Sequence, residues 1–190
     1  MMRSLHIGVD AWIIQDGNYG DFEVGGSHRF AVEFSPHEVV AIDAPTSAGC
    51  VLRHVGGALH EIEGAVVRAA PNDWVIDFGM RAFQEARPPE WARPGVLLRG
   101  VVYLGIDPFF YFERLKNEPG MPDLFLEWTI RRICLETTPW VESRDASGRI
   151  LRARADRDPT FVEVPKTDAW NDDGGHAHYV LECDATEPAN

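Results

Sequence analysis

The run best equipped for chemistry is His176-Ala177-His178-Tyr179-Val180-Leu181-Glu182. On a β-strand, residues two apart point to the same face. Both imidazoles then aim at one point, and Glu182 has the same parity one repeat further along. Imidazole nitrogens and a carboxylate oxygen suit a divalent transition metal such as zinc, iron, manganese or nickel. The same residues also fit a plainer reading, two imidazoles on the exposed face of an edge strand. With 7 histidines in the chain, a His-x-His spacing arises readily.

Gly174 and Gly175 precede this run. A glycine followed by His-x-His-x-x-x-Glu on a β-barrel resembles the first half of the cupin metal motif, although the glycine spacing differs here. The resemblance is confined to these residues. It implies a metal-dependent enzyme with His176, His178 and Glu182 as ligands. The second cupin motif brings a further histidine downstream, and none stands between Glu182 and Asn190. His54 or His60 replaces it only if the topology is rearranged.

Other constellations point to other chemistry. Asp73 and Asp77 bracket Trp74 to Ile76, and Asp107 stands in the matching place before Phe109 to Phe112. Carboxylates beside rings suit sugar binding or glycoside hydrolysis. Aspartates at strand ends also accept backbone N–H groups in turns. Asp168, Asn171, Asp172 and Asp173 form an oxygen-rich stretch, but without the spacing of a calcium loop. Ser47 and Cys50 lie shortly before His54, with no G-x-S-x-G elbow around either. No G-x-G-x-x-G and no P-loop occur, so nucleotide cofactors have no sequence support.

Every residue from Phe109 to Phe112 is aromatic. Read as a strand, this segment carries rings on both faces, and one face turns away from the core. Phe110 and Phe112, with Trp74 and Trp91 nearby, are therefore expected to form a binding surface. Packing beneath a second layer or a partner subunit is the alternative.

The elements that must position these groups read as strands. Two stretches share one pattern, Glu61 to Phe78 and Leu97 to Phe112. Each is a β-branched or aromatic run with an internal glycine (Gly64, Gly100), a turn and a second apolar run. Glycine inside a strand marks a bend or a close backbone approach. Leu5 to Ile14 reads as the first strand. Phe30, Val32 and Phe34 alternate with Arg29, Ala31 and Glu33, giving one wet and one core face. Gln84 to Gly95 holds three prolines and reads as a long loop anchored by Trp91. Leu124 to Ile130 alternates as a strand, with a helix as the alternative. His176 to Cys183 reads as the last strand.

Composition bounds the function. The 190 residues are 45% hydrophobic, enough for one sizeable core. The formal net charge of −12 repels phosphate backbones, which disfavours nucleic acid as a partner and favours a protein partner or self-association. Arg144, Arg149, Arg152, Arg154 and Arg157 cluster, but Asp145, Asp156 and Asp158 interleave with them. That pattern reads as a solvated mixed-charge strand and loop. Cys50, Cys134 and Cys183 have no C-x-x-C spacing, which fits a reduced, cytoplasmic compartment. No segment approaches the roughly 20 apolar residues that span a bilayer.

The expected fold is all-β, a strongly bent antiparallel β-barrel, OB-like or related, with long loops and little helix. One domain covers residues 1–183, and 184–190 form a polar tail. The expected function is non-catalytic binding through the aromatic strand. The alternative is a metal-dependent enzyme built on His176, His178 and Glu182.

Overall fold

The computed structural model describes residues 4–45 and 51–186. Ser47 and Cys50, weighed above for nucleophilic chemistry, lie outside the described residues. The chain is mostly β. Its strands are β1 (Ser4–Asp10), β2 (Ser27–Phe30), β3 (Val32–Ile42), β4 (Val51–Gly56), β5 (Leu59–Ala70), β6 (Asp73–Asp77) and β7 (Arg81–Gln84). They continue as β8 (Leu97–Ile106), β9 (Leu126–Glu136), β10 (Trp140–Arg144), β11 (Ile150–Arg154), β12 (Phe161–Val164) and β13 (His178–Thr186). One short helix, α1 (Ala11–Gln15), follows β1.

Eleven strands form one large mixed sheet in the order β12-β9-β13-β1-β8-β3-β7-β6-β5-β4, with β2 paired to β9. β5 also pairs with β8, so the sheet doubles back there. This is not the single antiparallel barrel that the strand pattern suggests. The path keeps two open ends, at β12 and β4. Two neighbours are parallel, β1 with β8 at Gly8↔Gly105 and β3 with β7 at Glu33↔Phe83. Parallel pairing needs a crossover, and β1 meets β8 only after β2 to β7 have been laid down.

Alternation explains which face is dry. Ile7 and Val9 of β1, Val102 and Leu104 of β8, and Tyr179 and Leu181 of β13 share the main core with Trp74 and Trp128. In β9 the register slips between Glu182 and Cys183 of its partner. That bulge lets Ile130 and Ile133, three residues apart, both face the core. Gly64 and Gly100 sit where backbones nearly touch. A Cβ on Gly100 would overlap the Glu38 carbonyl oxygen and lie 2.6 Å from Val39 Cα; one on Gly64 would overlap the Asp77 carbonyl.

Three segments depart from the sequence reading. Ala11 to Gln15 turns into α1 instead of extending β1. Phe110 to Arg114 is one π-helical turn, not a strand. The cause is Asp107, fully buried, whose Oδ1 accepts the Tyr111 N–H at 3.1 Å and whose Oδ2 accepts the Phe112 N–H at 2.8 Å. A carboxylate that caps successive N–H groups winds the chain up. Finally, β13 begins at His178 and runs to Thr186, so part of the expected tail is strand.

Candidate functional site

The structure separates the residues expected to bind metal. His176 is exposed in the turn before β13. His178 begins β13, and its Nδ1 lies 2.8 Å from Asp10 Oδ1. Glu182 pairs with Arg132, Nε to Oε2 at 3.0 Å. The three do not converge, because the strand starts two residues late and leaves His176 off it. Among the described residues, no group of three or more His, Cys, Asp or Glu side chains is placed to hold a metal ion.

The expected aromatic surface is also dispersed. Trp74 is buried, its indole N–H donating to Gln84 Oε1 at 2.8 Å. Trp91 packs edge-on against it at 6.1 Å, so the proline-rich loop is a cover for the core. Phe110 leans on a second cluster around Phe83, Tyr111 and Leu124. Phe112 alone is exposed, with the Lys116 ammonium 4.7 Å from its ring. The aspartates are occupied as well. Asp73 pairs with Arg68 at 2.7 Å, and Asp77 accepts the Gly79 N–H at 2.9 Å. The Asp168 carboxylate accepts from Asn171 Nδ2 at both oxygens, 2.9 Å each.

His54 and His60 do meet a third histidine, His6, but not around an ion. The rings of His6 and His54 stack at 3.7 Å, 7° from parallel. His60 is buried. Its Nε2 accepts the His6 backbone N–H at 3.4 Å, and its Nδ1 lies 3.2 Å from the Ala58 carbonyl. That pair of contacts requires a neutral ring with its proton on Nδ1. Burial accordingly pushes the His60 pKa down to about 4. Burial and the neighbouring His54 lower His6 too.

The chemistry-bearing concavity lies elsewhere, on the wet face of β3, β8 and β1. Register places Glu33 opposite Gly105 and Gly105 opposite Gly8. The two glycines leave a shallow floor, and Tyr103 lies across it; a Cβ on Gly8 would overlap the Tyr103 hydroxyl. Asp10 and Glu33 stand in the walls, Ser35 beside them, and Trp12 at the rim is 47% exposed. The cleft holds about 130 Å³, the share of roughly four waters in liquid.

Its electrostatics favour cations. Burial, with a contribution from Asp107, pushes the Glu33 carboxyl up to about 7. Burial and then the carboxylates of Asp10, Glu33 and Glu136 raise the Tyr103 phenol above its ordinary value, so it stays a hydrogen-bond donor. Among the described residues, no Lys, Arg or His lines the cleft itself. His178 sits against two residues that do, its Nδ1 2.8 Å from Asp10 Oδ1 and its ring 6.2 Å from that of Tyr103. Glu33 reads from sequence as the wet side of an alternating strand, and Gly8 lies within the expected first strand. Gly105 falls in the turn expected before Asp107 and is instead part of β8. Nothing local joins them, since Asp10, Glu33 and Tyr103 come from three distant strands.

The chain matches no protein-family model, no curated protein and no solved structure.

Proposed function

We propose that the chain is a non-catalytic binding protein whose site is this cleft. Its ligand is an alkylammonium group, free or carried on a lysine of a basic protein partner. The observation that carries the reading is the cleft's acidic chemistry, the Asp10 and Glu33 carboxyls beside an exposed indole with no Lys or Arg among the described lining residues, although His178 already holds Asp10 at 2.8 Å. Carboxylates desolvated beside an aromatic face are what an ammonium group needs. The net charge of −12 draws cations to the protein and repels nucleic acid. Cys134 and Cys183 are free thiols, which supports the cytoplasmic setting expected from the cysteine pattern. No helix among the described residues is long and apolar enough to cross a membrane.

A cation beside Glu33 favours its ionised form, so binding and proton release are coupled. With a pKa of about 7, roughly a tenth of Glu33 is ionised at about pH 6 and nine tenths at about pH 8. Affinity then rises about tenfold over that range. The test is an NMR titration with n-butylammonium and, separately, a lysine-rich peptide, following the Trp12 indole N–H. Saturable shifts that strengthen with pH and disappear in Glu33→Gln support the reading. A response to the peptide alone assigns the ammonium to a protein partner. No shift with either probe overturns it.

A further inference from the structure

β10 and β11 form a two-stranded sheet of their own, with no partner in the large sheet. Such a ribbon is marginal in water unless something packs on it. Its two ends are nevertheless well fixed. At the root, Asp173 Oδ2 accepts hydrogen bonds from Trp140 Nε1 at 2.7 Å and Arg154 Nη2 at 2.6 Å. The Arg154 guanidinium also lies 4.1 Å from the Trp140 ring centre and donates to the Thr138 carbonyl at 2.7 Å. At the tip, Asp145 Oδ1 accepts the Ser147 N–H at 2.8 Å and the Arg149 N–H at 3.0 Å. Gly148 supplies the left-handed residue at φ 82°. The ribbon is a formed arm, not a loose loop.

Between root and tip its faces differ. Val141 stands opposite Ala153, and Ser143 opposite Leu151, so one face is uncharged. Val141 is 48% and Leu151 43% exposed on it. The other face carries Glu142 opposite Arg152 and Arg144 opposite Ile150. Four arginines against Glu142 and Asp145 give residues 140–154 a net charge of +2, while the remainder of the chain carries −14.

We infer that this arm docks on a second copy of the chain, beside the open edge at β12. That edge offers what the arm lacks. Val162 is 47% exposed there, and Glu163, Asp156 and Asp158 are exposed around it, against the opposing charges of Arg157 and Lys166. The arm is inserted between β9 and β12, so donor and acceptor leave the body together. A two-fold arrangement therefore uses each arm and each edge once and closes as a dimer. With Arg154 already paired to Asp173, the arm's remaining arginines, Arg144, Arg149 and Arg152, still draw it to an acidic copy of its own chain, which makes the association salt-sensitive.

Sedimentation velocity on the full chain tests this, at low and at high salt. The expected result is a dimer at micromolar concentration that weakens as salt rises. Val141→Ser with Leu151→Ser raises the dimer Kd at least about tenfold, the loss expected for two exposed apolar contacts. Arg152→Glu weakens it, and Arg152→Glu combined with Glu163→Arg restores it. Near-ultraviolet circular dichroism checks that each variant keeps its core. A wild-type monomer at high concentration in low salt, or a dimer indifferent to the arm variants, overturns the inference.

Discussion

Replacing His60 with Gln removes a buried imidazole whose folded-state pKa is about 4, against 6.5 when unfolded. Between those values the unfolded chain holds a proton here that the folded chain refuses. Stability therefore falls as pH drops through that window, by about 1.4 kcal/mol per pH unit. Glu33 runs the other way. Its pKa rises from 4.5 to about 7 on folding. Between those values the folded chain keeps a proton that the unfolded chain has lost. Its contribution is present below about 4.5 and disappears as pH rises toward about 7, with a slope of the same size and opposite sign. From about pH 5 to about 6.5 the two largely cancel in the wild-type protein, although each alone is worth about 2 kcal/mol. Single variants expose them. Urea unfolding followed by tryptophan fluorescence across that range should give His60→Gln a stability that falls with rising pH. Glu33→Gln should give one that rises with pH, steepened by His6, whose pKa burial also lowers. The slopes carry the result, so an overall loss of stability in either variant does not obscure it. A His60→Gln slope equal to the wild-type slope refutes the assignment of a neutral, proton-refusing ring.

Three further substitutions probe the frame. Gly100→Ala forces a Cβ onto the Glu38 carbonyl and Val39 backbone and should cost about 3 kcal/mol or more. Gly20→Ala, with open space around it, should leave the melting temperature nearly unchanged. Asp107→Ala strips acceptors from the Tyr111 and Phe112 N–H groups and should cost about 1–3 kcal/mol. It should also speed hydrogen exchange at those two amides more than at β9.

Much of the strand content is legible in the sequence because alternation is a local signal. Trp128 and Ile130 announce the core face of β9, and Val32 and Phe34 that of β3. Gly64 and Gly100 are legible too, as residues that must lack a side chain, although what they avoid is backbone from another strand. Phe109 to Phe112 misleads for a physical reason. Four aromatic residues have high strand propensity, but the capping carboxylate of Asp107 decides the local conformation. His176 and His178 mislead by parity alone, since parity means nothing for a residue left outside the strand. The cleft is the least legible part. Its chemistry depends on β1 meeting β8 in parallel, and that pairing leaves no trace in the spacing of Asp10, Glu33 and Tyr103. Arg144, Arg149, Arg152 and Arg157 are exposed as the cluster reads, but Arg154 is tied to Asp173 and Trp140, and the ribbon's separation from the large sheet is a fact of tertiary structure.

The position of β13 has a consequence for how this chain comes into being. β13 lies between β1 and β9, and among the described strands it alone joins the β12-β9 end of the path, with β2, to the β1-β8 end. It also follows every other described strand in chain order. Until residues 178–186 leave the ribosome, β1 and β9 wait with unpaired hydrogen-bonding edges, the kind of edge that recruits other chains. Pairing Ser4 with Asp184 closes nearly the longest loop the described chain allows, an entropic step that slows folding. This sheet is therefore completed by an insertion into a waiting gap, not an addition at an edge. A nascent chain stalled short of β13 is the form of this protein most in need of a chaperone.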